Sequence, residues 1–198
     1  SGWPVFEGVV WYRLRSREQP PPAGALAPRG IAIEYANMAS AVYLNGSLLA
    51  RDRQLVEPLT RAWNQPRWWT LSPPLLRAGD NELLVRVSGR AAFQPGLGPV
   101  LLATPQAAPD AYDDAVFWRR TVQGVGVCIT LVMVVVYGML WLLRRSEHVF
   151  GWFTLHVLLW LAYSYNFLSL RTWPFADSYG YQSMVGLGLL ASMLWFLV

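Results

Sequence analysis

Aromatic rings set beside amide and guanidinium groups are the chemistry of carbohydrate recognition. A sugar stacks its apolar face on a ring, and amides or arginines bond its hydroxyls. Arg61, Trp63 and Asn64 supply those groups in one irregular stretch, followed by Trp68 and Trp69. Loops are where binding groups concentrate. Arg61, Trp63, Asn64 and Trp68 are therefore the candidate ligand contacts. The same residues also suit packing. Trp68 and Trp69 are neighbours in a strand-like run, so one must point into a core and the other outward, and Trp63 could cap a sandwich.

A second set lies in an apolar run. His156, Tyr163 and Asn166 are polar groups within residues 149–170. His156 and Tyr163 are seven residues apart, two helical turns, so they share a face. Polar groups at membrane depth line cavities or bond between helices, and both readings stand here.

Other chemistry is missing. With two histidines, His148 and His156, and one cysteine, Cys128, no Ser/His/Asp set forms and no cluster has metal-ligand spacing. His148 stands in Ser146-Glu147-His148-Val149, without the His-Glu order of a kinase phosphorylation box. No catalytic residue, metal ligand or cofactor is expected in this segment.

The elements that hold these residues divide at about residue 118. Residues 121–143 and 149–170 contain no Asp, Glu, Lys or Arg. Each exceeds the ~20 residues a helix needs to cross a ~30 Å hydrocarbon core. A third apolar run occupies residues 183–198. Trp118, Trp141, Trp152 and Trp173 bracket the first two runs, as an aromatic belt does. Three spans are therefore expected, with membrane lipid as a partner. Gly124, Gly126, Gly186 and Gly188 are expected at close helix contacts. Residues 109–120 read as a linker helix entering the membrane, with the clearest signal from Ala111 to Arg120.

Residues 1–108 read as a β-domain. Val9, Trp11 and Arg13 alternate with Val10, Tyr12 and Leu14, the period of a half-buried strand. Further strands are expected at Ile31–Tyr35, Arg67–Leu71, Glu82–Ser88 and Leu97–Ala103, the last broken by Pro99. Asn45-Gly46 between two apolar runs is a type I′ hairpin signal. Asn45-Gly46-Ser47 also matches a glycosylation acceptor, but the hairpin alone accounts for it. Short strands between turn signals make an all-β sandwich or jelly roll.

Charge is informative by segment. Residues 1–118 carry 11 Arg against 10 acids, and residues 119–198 carry 5 Arg against 2 acids. The excess flanks membrane runs, so no nucleic-acid partner is expected. Arg144 and Arg145 favour a cytoplasmic first connection, whereas Arg119, Arg120 and Arg171 oppose a simple count. The sandwich ahead of the first span places the N-terminus outside. Residues 1–8 lack a signal-peptide pattern and the third apolar run stops at Val198, so the sequence is expected to be cut from a longer chain at both ends.

Three pieces of the first half carry a family resemblance. They are Trp11-Tyr12-Arg13, Val42-Tyr43-Leu44-Asn45-Gly46, and the run from Pro74 to Val87 containing Leu76, Gly79, Asn81, Leu83, Val85 and Val87. In that order they resemble the galactose-binding-like jelly roll, also known from large β-glycosidases, where these strands serve as scaffold. Joined to several spans, the domain resembles the bacterial seven-transmembrane receptors with diverse intracellular signalling modules. The resemblance implies an inner-membrane sensor with a periplasmic domain and a carbohydrate or small polar ligand. It implies a homodimeric histidine kinase output acting on a response regulator, with ATP and Mg confined to that module. A diguanylate cyclase output is the alternative. A membrane-anchored carbohydrate-binding or carbohydrate-processing protein is the reading from another class, and a structural envelope protein is a third.

Overall fold

A computed structural model describes residues 7–19 and 26–194. The start of the strand expected over Val5–Arg15, the loop expected around Pro20, Pro21 and Pro22, and the end of the third apolar run lie outside the described residues. The chain forms two compact units, Ser1–Phe117 and Trp118–Val198.

The first unit is a β-sandwich. Its larger sheet has the order β1-β7-β4-β5, formed by β1 (Gly8–Glu18), β7 (Gly79–Gly89), β4 (Ala39–Leu44) and β5 (Ser47–Arg51). A second sheet has the order β6-β2-β9, from β6 (Arg67–Leu71), β2 (Arg29–Ile33) and β9 (Val100–Ala103). β3 (Ala36–Asn37) pairs with β8 (Gly96–Leu97). All these pairings are antiparallel.

Side-chain alternation builds the core. Val42 and Leu44 of β4 and Val85 and Val87 of β7 meet Ile31 and Ile33 of β2 and Leu71 of β6. All are buried. Removing each such side chain from water contributes about 1.5–3 kcal/mol. Tyr12 and Leu14 pack against this core, as the alternation in the first strand requires.

The hairpin forms where Asn-Gly predicts it. Asn45 and Gly46 have φ of 51° and 84°, and β4 and β5 flank them. The expected last strand splits. Gly98 and Pro99 separate β8 from β9, and a Cβ on Gly98 would lie 2.5 Å from the Tyr35 ring.

Helix α1 (Ala107–Val116) covers part of the smaller sheet. Ala108 is fully buried. Gly30 of β2 makes room for it, since a Cβ there would come within 2.5 Å of Ala108 Cβ and 2.6 Å of the Thr104 carbonyl. The helix begins four residues before Ala111, because the Thr104 hydroxyl and carbonyl accept from the Ala107 and Ala108 N–H groups.

Through a π-helical turn at Phe117–Thr121 the helical backbone continues into α2 (Val122–Leu143). The run Ala107–Leu143 is the one helix among the described residues long and apolar enough to cross a membrane. Val125, Ile129, Val132 and Leu142 are each more than half exposed, unlike the apolar face of a core helix.

In the second unit α2 packs against α3 (His148–Leu168), and α3 against α4 (Ser178–Leu194). Tyr137 of α2 and Phe153 of α3 place their ring centroids 4.2 Å apart. α3 is long enough to span but carries His156, Tyr163, Ser164 and Asn166, which lower its apolar character; the described α4 has 17 residues. α4 starts five residues before Ser183 because Asp177 Oδ1 accepts from the Gly180 N–H at 2.6 Å, a helix N-cap.

The expected glycine contacts are corrected. A Cβ on Gly124, Gly126, Gly186 or Gly188 would meet nothing within 4 Å, so none is a packing point among the described residues. Gly151 takes that role instead: a Cβ there would lie 2.7 Å from Trp141 Nε1.

Candidate functional site

The stretch holding Arg61, Trp63 and Asn64 folds back on the sandwich. Leu55 and Leu59 pack with Met38, Ala39 and Phe93 in a second small core. The Ala62 N–H donates to the Met38 carbonyl at 3.2 Å. This places Arg61 and Asn64 inside, at 3% and 7% exposure, and leaves Trp63 half-buried. Trp68 and Trp69 divide as adjacent strand residues must: Trp69 packs on the core, and Trp68 faces outward at 37% exposure.

His156, Tyr163 and Asn166 are all half-buried on α3. His156 lies 6.3 Å from the Phe153 ring, and Tyr163 packs among Trp160 and Phe167 at 5.4 and 5.6 Å. A groove of about 410 Å³ in this unit is lined by Trp141, His148, Gly151, Trp152 and Leu155, among others. None of the three polar candidates lines it.

A different surface unites aromatic and polar groups. On β1 the outward residues are Val9, Trp11, Arg13, Arg15 and Arg17, alternating with inward Tyr12 and Leu14. Trp11 is 51% exposed. Its ring lies 5.8 Å from the ring of Tyr43 on β4, tilted by 41°. The two strands are separated by β7, whose Arg86 is opposite Trp11 and whose Leu84 is opposite both Arg13 and Tyr43. Arg86 Nη1 donates to Ser88 Oγ at 2.5 Å. Arg13 Nε donates to Glu82 Oε2. The result is a two-ring platform on an open sheet face, bordered by guanidinium and carboxylate groups.

No family model matches the chain, and no curated protein matches it. Solved structures similar to part of the chain include two whose likeness is slight. One is the β-glucuronidase of Faecalibacterium prausnitzii, 21% identical over 42% of this chain and 12% of that one, with a TM-score of 0.33. The other is a family 35 carbohydrate binding module from an environmental isolate. It is 14% identical over 52% of this chain and 69% of that one, with a TM-score of 0.29. The chain thus matches about an eighth of the glucuronidase's length. The β-sandwich itself rests on the strand order and shared core described above.

Sequence reasoning placed Trp11-Tyr12-Arg13 in the scaffold. Only Tyr12 of the three fits that role, since Trp11 and Arg13 point away from the core. The signal was available in the alternation itself, which puts Trp11, Arg13, Arg15 and Arg17 on one face. Tyr43 could be joined to them only by the strand order, because β7 comes between in space and after both in sequence.

The cavity between the sheets suits a polar ligand less well. It has about 120 Å³ and is lined mainly by apolar groups, including Leu14, Ile31, Leu44, Leu71 and Leu83.

Proposed function

We propose that this chain is the input portion of a bacterial inner-membrane receptor, and that its sandwich binds a carbohydrate or other small polar ligand on the Trp11–Tyr43 face. The carrying observation is the pair of rings, 5.8 Å apart on an open sheet face, with Trp11 half exposed. Two neighbouring rings offer the apolar face of a pyranose a stacking surface, and Arg13, Glu82 and Arg86 offer bonds to its hydroxyls.

In this reading the domain is a galactose-binding-like jelly roll on the periplasmic side, and α2, α3 and α4 belong to a multi-pass bundle. The output is histidine autophosphorylation in another part of the protein, with cyclic-dinucleotide synthesis as the alternative. The kinase form works as a homodimer with ATP, Mg and a response regulator. Transmission uses α1, which is seated on Gly30 of the smaller sheet and continues towards α2. Ligand shifts such a device only by its differential affinity for two arrangements of the domain.

Isothermal titration of the chain in nanodiscs against a panel of oligosaccharides tests the site. Trp11→Ala and Tyr43→Ala should each weaken the binding found by about tenfold, equivalent to ~1.4 kcal/mol. Trp68→Ala should leave it unchanged. Loss on Trp68→Ala with Trp11→Ala silent would move the site to β6.

A further inference from the structure

The rings stand in a charged frame. Residues paired across the larger sheet point to the same side, so its outward face reads as rows. One row is Trp11, Arg86, Ala41 and Arg51; the next is Arg13, Leu84, Tyr43 and Leu48. Beyond them Arg15 pairs with Glu82 and Arg17 with Asp80. These rows hold five arginines and two carboxylates.

The two carboxylates do not balance the face. Glu82 binds Arg13 and lies 3.7 Å from Arg15. Asp80 is 3.8 Å from Arg17, with both side chains more than 80% exposed, where water screens the pair. Among the described residues no carboxylate pairs with Arg51 or Arg86. Other acids of the domain are engaged elsewhere: Glu18 with Arg29, Asp52 with Arg67, and Glu57 with Arg90. The domain is close to neutral in sum, yet Arg51 and Arg86, which no carboxylate balances, both stand in the row of Trp11.

A protective role explains only part of this. Charged residues on edge strands discourage pairing with other chains, which covers Arg13, Arg15 and Arg17 on β1 and Arg51 on β5. It does not cover Arg86, on the interior strand β7 between Trp11 and Ala41.

We infer that the ligand of this face is an acidic carbohydrate, whose sugar ring stacks on Trp11 and Tyr43 while its carboxylate or sulfate binds the row of Arg86 and Arg51. A guanidinium fork matches such an anion with two parallel bonds. This rests on the carbohydrate reading of the face and adds the charge and class of the ligand.

The test titrates the chain, in nanodiscs of zwitterionic lipid, with three probes of equal length: oligogalacturonate, a sulfated galactan oligomer and a neutral galactan oligomer. At least one acidic probe should bind about tenfold or more tighter than the neutral one. The advantage should shrink as salt rises from about 0.05 to 0.5 M. Arg51→Gln, an exposed change, should remove most of the advantage, and Arg86→Gln more. Trp11→Ala should weaken acidic and neutral probes alike. Equal affinity for all three probes overturns the acidic ligand and leaves the platform standing. Binding of none overturns both. Acidic binding that survives Trp11→Ala is general polyanion attraction and also overturns the inference.

Discussion

Asn45 Nδ2 donates to Asn81 Oδ1 at 2.7 Å. This bond joins the tip of the β4–β5 hairpin to the first residues of β7, two segments that carry the family resemblance. Each amide is heavily used. Asn45 Nδ2 also donates to the Leu75 carbonyl, and Asn45 Oδ1 accepts from the Glu82 N–H. Asn81, 2% exposed, accepts from the Arg77 N–H and donates to the Arg77 carbonyl.

Asn81→Ala should therefore destabilise the domain by about 2–3 kcal/mol, because each buried group left without a partner costs about 1–3 kcal/mol. Asn81→Asp keeps the shape and the acceptor but cannot donate to Arg77, so it should also destabilise. Asn45→Gly suits a φ of 51° yet lacks the amide, and should lose a similar amount. Thermal melts followed by near-UV circular dichroism decide this. A stable Asn81→Asp protein would show that the site needs the shape alone.

A separate polar contact ties the two sheets together. Arg67 of β6 reaches Asp52 at 2.6 Å and Ser40 of β4 at 2.5 Å, and Asp52 Oδ2 accepts from the Ser40 N–H at 2.6 Å. Both charged side chains are largely buried, at 14% and 10% exposure. Arg67→Met should cost about 3–5 kcal/mol, since it strands the Asp52 carboxylate. Adding Asp52→Leu should recover part of that loss. A double-mutant cycle by chemical denaturation should give a coupling above about 1 kcal/mol; a value under 0.5 would rank the pair with exposed ones.

Gly30→Ala addresses the seat of α1. The new methyl would meet Ala108 Cβ and the Thr104 carbonyl at 2.5 and 2.6 Å, and the backbone oxygen has no rotamer by which to move aside. The helix must lift, at a cost of about 1–3 kcal/mol. Hydrogen exchange should quicken in Ala107–Val116 while the core strand β7 keeps its protection. Unchanged exchange in the helix would mean the sheet yields instead.

What could be read from the sequence was what short-range chemistry decides. Asn45-Gly46 fixes its own turn, and alternation sorts Tyr12 from Trp11 and Trp69 from Trp68. The burial of Arg61 and Asn64 was not legible, because it depends on Leu59 meeting Met38, twenty-one residues earlier. The ring pair was hidden for a similar reason: Trp11 and Tyr43 become neighbours only when β7 enters between their strands. Charge showed the same limit. A sum over residues 1–118 gives near neutrality, whereas strand register gathers Arg15, Arg51 and Arg86 on one face. The glycine pairs misled because spacing says which residues share a helix face and not whether another helix comes to it.

The multi-pass reading makes a topological prediction. α2 and α3 are joined by the short connection Arg144–Glu147 and packed through Tyr137 and Phe153. If both cross the bilayer, Ser146 must lie on the side opposite the sandwich, and Ala176, between α3 and α4, on the same side as the sandwich. Single cysteines introduced by Ser47→Cys, Ser146→Cys and Ala176→Cys report this in a Cys128→Ser background, since Cys128 is the one native thiol. An impermeant maleimide added to spheroplasts should label positions 47 and 176, and position 146 only after permeabilisation. Labelling at 47 and 146 from the same side would show that α2 does not cross. Labelling at 146 and 176 together, opposite 47, would leave α2 as a lone span and place α3 along the membrane surface.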